Sequence, residues 1–143
     1  MNKVILIIIT LFFTFSVNAI ENKSDGSWEL ISGEYQNNND VMIQYEDLKI
    51  NSIKVISGAH FSFVSMSGDK FWSSGAGSYR FTEKEYIESP IYTSYGATLG
   101  KEYVFTYTIE NNTWYNARWD QGKRVEYEVW RKLSKMLFGI TND

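Results

Sequence analysis

Few side chains in this sequence belong to the kinds that carry covalent or metal chemistry. Among 143 residues there is one histidine, His60, and no cysteine. The common zinc sites draw on several His, Cys or carboxylate ligands, and a thiol nucleophile needs a thiol. His60 is the single histidine able to ligate a haem. Nothing near it in sequence orients it for that role or for a Ser-His-Asp relay, and no G-x-S-x-G turn occurs. No metal and no cofactor are therefore expected. Carboxylates cluster as Glu83, Glu85 and Glu88 and again as Glu126 and Glu128. A glycosidase would need two such groups facing one cleft. Strand alternation instead puts both sets at edges or on the outward face, as solvated charge. The sequence reads as a non-enzyme.

Aromatic residues are the abundant resource, at 17% of the chain. Tyr79, Tyr103, Phe105, Tyr107, Tyr115, Trp119 and Tyr127 are the candidate lining of a binding space. They offer flat apolar faces with a few hydroxyls, suited to a ring or a chain carrying little polarity.

Placing those rings together requires strands. Segments with apolar or aromatic residues at every second position recur along the chain, each ended by Gly, Asn or Asp. They run from Trp28 to Gln36, Leu48 to Ser57, His60 to Met66, Phe71 to Phe81, Tyr86 to Ser94, Glu102 to Ile109, Thr113 to Trp119 and Arg124 to Leu133. Asn37-Asn38-Asn39-Asp40, Ser67-Gly68-Asp69, Glu110-Asn111-Asn112 and Asp120-Gln121-Gly122 are turn chemistry between them. Eight strands with short joins leave no room for crossover helices and must pair antiparallel. The expected fold is all-β, an eight-stranded antiparallel up-and-down barrel, with a sandwich as the alternative because it has similar size.

Alternation assigns faces. Tyr103, Phe105, Tyr107 and Ile109 share the inner face of the sixth segment. In the last segment Val125, Tyr127, Val129, Arg131 and Leu133 share a parity opposed by Glu126 and Glu128, and Trp130 falls with the charges. Gly75 and Gly77 in mid-strand mark a bend or a close backbone approach. Met136, Leu137 and Ile140 recur at helical spacing before the end, which allows a short C-terminal helix. If the barrel closes, Trp28 at the start of the first strand meets Arg131 near the end of the last. A guanidinium stacked on that indole would form a barrel-closing structural pair.

Gly26-x-Trp28 opening an eight-stranded barrel, with Arg131 in its last strand, resembles the calycins, the group of lipocalins and fatty-acid-binding proteins. Small secreted bacterial lipocalin-like domains are the nearest in character. The supporting segments are Lys54 to Val64, Gly75 to Phe81, Tyr86 to Ser89 and Glu128 to Lys132. The resemblance implies a barrel that takes a small, mostly apolar molecule in its lumen. It does not extend to the two lid helices or the Arg-x-Tyr clamp of fatty-acid-binding proteins, since this chain has Arg124-Val125-Glu126-Tyr127.

Residues 1–19 have the form of a signal peptide: a cationic start at Lys3, an apolar run, and small residues Val17 and Ala19 at −3 and −1. The domain then spans 20–143. The whole chain carries fourteen Lys and Arg against seventeen Asp and Glu, net −3, which becomes −4 once Lys3 is removed. An acidic surface does not track phosphates, so nucleic acid is not an expected partner. Export to a bacterial periplasm or the medium is expected, with no disulfides and no lasting membrane insertion. The functional expectation is a non-enzymatic barrel holding a small apolar or aromatic ligand. The rival is a filled barrel serving as a protein-interaction or inhibitor module of the cell envelope, with Trp72, Trp114 and Trp130 exposed for the purpose.

Overall fold

The computed structural model describes residues 23–96 and 98–134. The expected signal peptide and C-terminal helix lie outside the described residues. Among the described residues nine strands run in order: β1 Gly26–Gln36, β2 Met42–Gln44, β3 Ile50–Ser57, β4 His60–Ser67, β5 Lys70–Phe81, β6 Glu85–Thr93, β7 Tyr103–Glu110, β8 Thr113–Asp120 and β9 Lys123–Lys132. Eight of them answer the eight expected segments, each bounded within two residues of the expectation. β2 is additional, a three-residue strand hung on the far end of β1 through pairs such as Tyr35 with Ile43.

Every strand pairs antiparallel with its successor around the ring, and β1 pairs with both β3 and β9. The sheet is thus a closed eight-stranded up-and-down barrel, in which each main strand is paired on both sides over at least part of its length. Tight turns make this ladder possible. Asn111 and Asn112 both adopt positive φ, at 50° and 59°, as a two-residue hairpin between β7 and β8 requires. Gly77 serves the closure differently. A bulge in the β5–β6 ladder between Ala76 and Gly77 brings β6 so near that a Cβ at 77 would clash with the Ser89 carbonyl and would stand 2.8 Å from the Pro90 Cα. The mid-strand glycine marks a close backbone approach, as its position in the sequence suggested.

The two ends of the barrel differ. At the end where β1 begins, Trp28, Ile56, Phe61, Tyr79, Phe81, Tyr86, Trp114 and Trp130 form a continuous buried core. The rings meet edge-on or tilted. Trp28 and Trp114 lie 5.3 Å apart at 72°, Trp114 and Tyr86 4.8 Å apart at 75°, and Phe81 and Tyr86 5.0 Å apart at 36°. Trp28 is fully buried and its indole N–H donates to the Ser24 carbonyl at 2.6 Å. This aromatic plug shuts one mouth of the barrel.

The closing pair differs from the expectation. β1 and β9 do lie side by side, but Trp28 pairs across the ladder with Lys132, and Arg131 pairs with Glu29. Arg131 is one residue out of phase with the plug. Its side chain is exposed on the outer face, where its Nε donates to Glu29 at 2.7 Å. The cation over the Trp28 ring is Lys132, with Nζ 5.3 Å from the centroid. A strand alternates faces at every residue, so a shift of one position exchanges the stacked cation for a solvated one.

Trp28→Ala is expected to destabilise the protein by roughly 3–5 kcal/mol in urea unfolding, because a buried indole leaves a cavity. Arg131→Ala should change stability by less than about 1 kcal/mol, as for other exposed ion pairs.

Candidate functional site

Above the plug the barrel is not filled. A cavity of about 620 Å³ opens at the opposite end, with aromatic walls that include Tyr35, Tyr45, Phe63, Trp72, Tyr95 and Tyr103. Its size suits a drug-sized molecule. Phe63 and Tyr95 stack across one wall with ring centroids 6.3 Å apart.

The floor of the cavity is built by repetition. On four strands, the inward position one pleat above a plug residue carries a polar side chain. Lys54 stands two residues from Ile56 on β3, Glu88 two from Tyr86 on β6, Asn116 two from Trp114 on β8, and Glu128 two from Trp130 on β9. A polar layer therefore rests directly on the aromatic one. Lys54, 3% exposed, is its centre. Its Nζ lies 2.8 Å from Glu88 Oε1 and 3.8 Å from Glu128 Oε2. The same ammonium faces the rings of Trp130 at 4.7 Å, Tyr86 at 5.5 Å and Trp114 at 5.6 Å. Each carboxylate has a second donor: the Tyr86 hydroxyl donates to Glu88 Oε1 at 2.8 Å, and the Trp130 indole N–H donates to Glu128 Oε2 at 2.9 Å. Burying a lone ammonium is prohibitive, so this arrangement answers the cost with charge, hydrogen bonds and ring faces together.

A second polar tier stands one pleat higher. Arg118 Nε donates to Glu126 Oε2 at 2.7 Å, and the Tyr45 hydroxyl reaches Glu126 Oε1 at 3.4 Å. Five charged side chains thus border the cavity, namely Lys54, Arg118, Glu88, Glu126 and Glu128. Burial depresses the Lys54 ammonium, but the Glu88 and Glu128 carboxylates outweigh it and hold the pKa above its usual value. Burial raises Glu128 to about 7; Lys54 pulls the other way, and Glu126 and Glu88 add to the rise. Burial, with Glu128 and Glu126 beside it, drives the Tyr45 hydroxyl well above the phenolic range.

Of the seven rings proposed to line the lumen, Tyr103 and Phe105 border the cavity. Tyr79 and Tyr107 point inward but into the plug, with Tyr107 packed at 4.8 Å against Phe81. Tyr115, Trp119 and Tyr127 are on the outer face. Tyr115 and Trp119 flank the inward Asn116 and Arg118, and Trp119 donates to Thr106 Oγ1 on the outside at 2.9 Å. Tyr127 carries Arg124 over its ring at 4.6 Å. The same parity correction applies to the carboxylates: Glu88, Glu126 and Glu128 face the lumen rather than solvent. Trp114 and Trp130, expected on the outside, are buried, and only Trp72 of the three is exposed. In β9 the charges and Trp130 share the inner face because Glu126 and Glu128 find cations there. His60 is exposed where the β3–β4 hairpin enters β4, paired with Ser78, and does not border the cavity.

Lys54, Asn116 and Arg118 were not anticipated. Their one signal was the parity they share with Ile56 and Trp114. No protein-family model matches the chain, and no curated protein sequence matches it.

Lys54→Met leaves two buried carboxylates without their cation and is expected to cost roughly 3–5 kcal/mol in urea unfolding. Replacing Lys54, Glu88 and Glu128 together by Met, Leu and Leu should recover most of that loss. The raised Glu128 value sets a pH dependence. Because the folded protein binds this proton more tightly than the unfolded chain, the contribution is complete below the ordinary carboxylate range. It is lost as pH rises through about 7. Wild type should therefore lose stability relative to Glu128→Gln between about pH 5 and about pH 8, read as melting temperatures of the two proteins.

Proposed function

We propose that this protein is an exported, lipocalin-like carrier or scavenger that holds a small molecule with an apolar or aromatic body in the lumen of its barrel, without catalysing a reaction. The observation that carries this reading is the division of the barrel into a plugged end and an open, aromatic-walled cavity of about 620 Å³. A barrel that served only as a rigid scaffold would gain stability by filling that space, since unfilled apolar volume costs contacts. The closed eight-stranded barrel is consistent with a lipocalin-like fold, and the leader-like residues 1–19 support export to a bacterial periplasm or the medium. The described residues contain no helix long and apolar enough to cross a membrane.

The rival reading, a protein-interaction module, draws on exposed apolar side chains outside the barrel, among them Val64, Ile91 and Tyr92. The cavity of about 620 Å³ argues against the filled lumen that this reading assumes.

Native mass spectrometry of the protein isolated from its own host is expected to show an adduct of small-molecule mass that heat or organic solvent releases. Ser73→Trp, which places an indole in the cavity wall, should remove the adduct while leaving the far-ultraviolet circular dichroism unchanged. A bound partner chain with no small adduct in wild type would favour the rival.

A further inference from the structure

The charges around the cavity do not balance. Among the described residues three carboxylates, Glu88, Glu126 and Glu128, border it against two cations, Lys54 and Arg118. Both cations are committed at short range elsewhere, Lys54 to Glu88 at 2.8 Å and Arg118 to Glu126 at 2.7 Å. Glu128 has only the neutral indole N–H of Trp130 within hydrogen-bond range, and its share of Lys54 is at 3.8 Å. Its side chain retains 12% exposure, more than those of Lys54 or Glu88, so it is the carboxylate of the floor that an occupant can touch.

A second observation falls at the same place. Asn116 is the direct cross-strand partner of Glu128 in the β8–β9 ladder and stands on the same inner face. It is 1% exposed, and both its amide oxygen and its amide nitrogen lack a partner. A buried primary amide with neither group satisfied is costly and points to a missing partner. The floor therefore offers an under-compensated carboxylate below aromatic walls, with Asn116 buried behind it and not itself bordering the cavity.

We infer that the lumenal ligand carries a protonated amine, which donates to Glu128 while its apolar or aromatic body lies against Phe63, Tyr95 and Tyr103. An ammonium supplies several donors where the protein presents acceptors, and it brings the lumen charges to three against three. An anionic ligand would meet an excess of negative charge and two cations already paired. This inference rests on the lumen-binding reading and narrows its ligand class. Groups facing Glu128 that set its response are Lys54 from β3, Glu88 and Tyr86 from β6, Arg118 from β8, Glu126 from β9, and Tyr45 from the β2–β3 connection. Burial raises Glu128 toward its protonated form, so an ammonium bound there favours the carboxylate and expels part of a proton.

Three isosteric probes test this on the full folded protein: 4-phenylbutylamine, 4-phenyl-1-butanol and 4-phenylbutanoic acid, titrated calorimetrically at pH 7. The amine is expected to bind about tenfold more tightly than the alcohol, the value of one charge-assisted hydrogen bond, and the acid more weakly than either. Repeating the amine titration in buffers of different ionisation enthalpy should show proton release for the amine and none for the alcohol. Glu128→Gln should abolish the amine's advantage over the alcohol and its proton release. The wild-type proton count stands as a test even where that variant folds poorly. If the alcohol or the acid binds as tightly as the amine, the charge inference is overturned and lumen binding survives. If none of the three binds, the lumen-binding reading falls and takes the inference with it.

Discussion

A single buried ammonium organises this barrel. Lys54 is set inside the barrel, with Glu88 on one side, Glu128 on another and three aromatic rings beneath it. A charge so far from water persists only if its surroundings are fixed in place, so the strands bearing those partners must hold their register. β3, β6 and β9 are far apart in sequence, and the ion cluster ties them together across the lumen rather than along the sheet. Ring closure through β1 and β9 makes that geometry possible.

The polar floor also explains why the barrel has one working end. Below it, edge-on and tilted aromatic contacts occupy the interior. Above it, charges and hydroxyls need space and solvent or a ligand, and the side chains do not close over them. A cavity of this kind is a polar-bottomed, aromatic-walled cup, which differs from the plain apolar lumen anticipated from the aromatic content. Selectivity in such a cup arises from the few polar groups at its base, with the walls supplying affinity for any flat or extended body.

The strand count, turns, closed topology and close approach at Gly77 were legible in the sequence, because alternation and turn residues are local signals. The inward faces of β8 and β9 were not. Assigning Glu126 and Glu128 to solvent is the sound reading of an isolated strand, and it carried Tyr127 inward and Trp130 outward in one step. Trp130 on the side of the charges was the visible conflict, and its resolution lay in Lys54, seventy-odd residues away. Charge compensation across a lumen is non-local, so no single segment reveals it. The closing pair failed for a related reason: adjacency of β1 and β9 followed from topology, but the choice of Lys132 over Arg131 depended on a one-residue register.

The central claim is that the lumen holds a layer of interacting charge in which Glu128 is only partly compensated. Carbon-13 NMR of the glutamate side-chain carboxyls, titrated from acid to alkaline pH and assigned through Glu128→Gln, measures this directly. The account predicts that the Glu128 resonance titrates with an apparent pKa of about 7 in the free protein. A midpoint in the ordinary carboxylate range near 4.5 would contradict it.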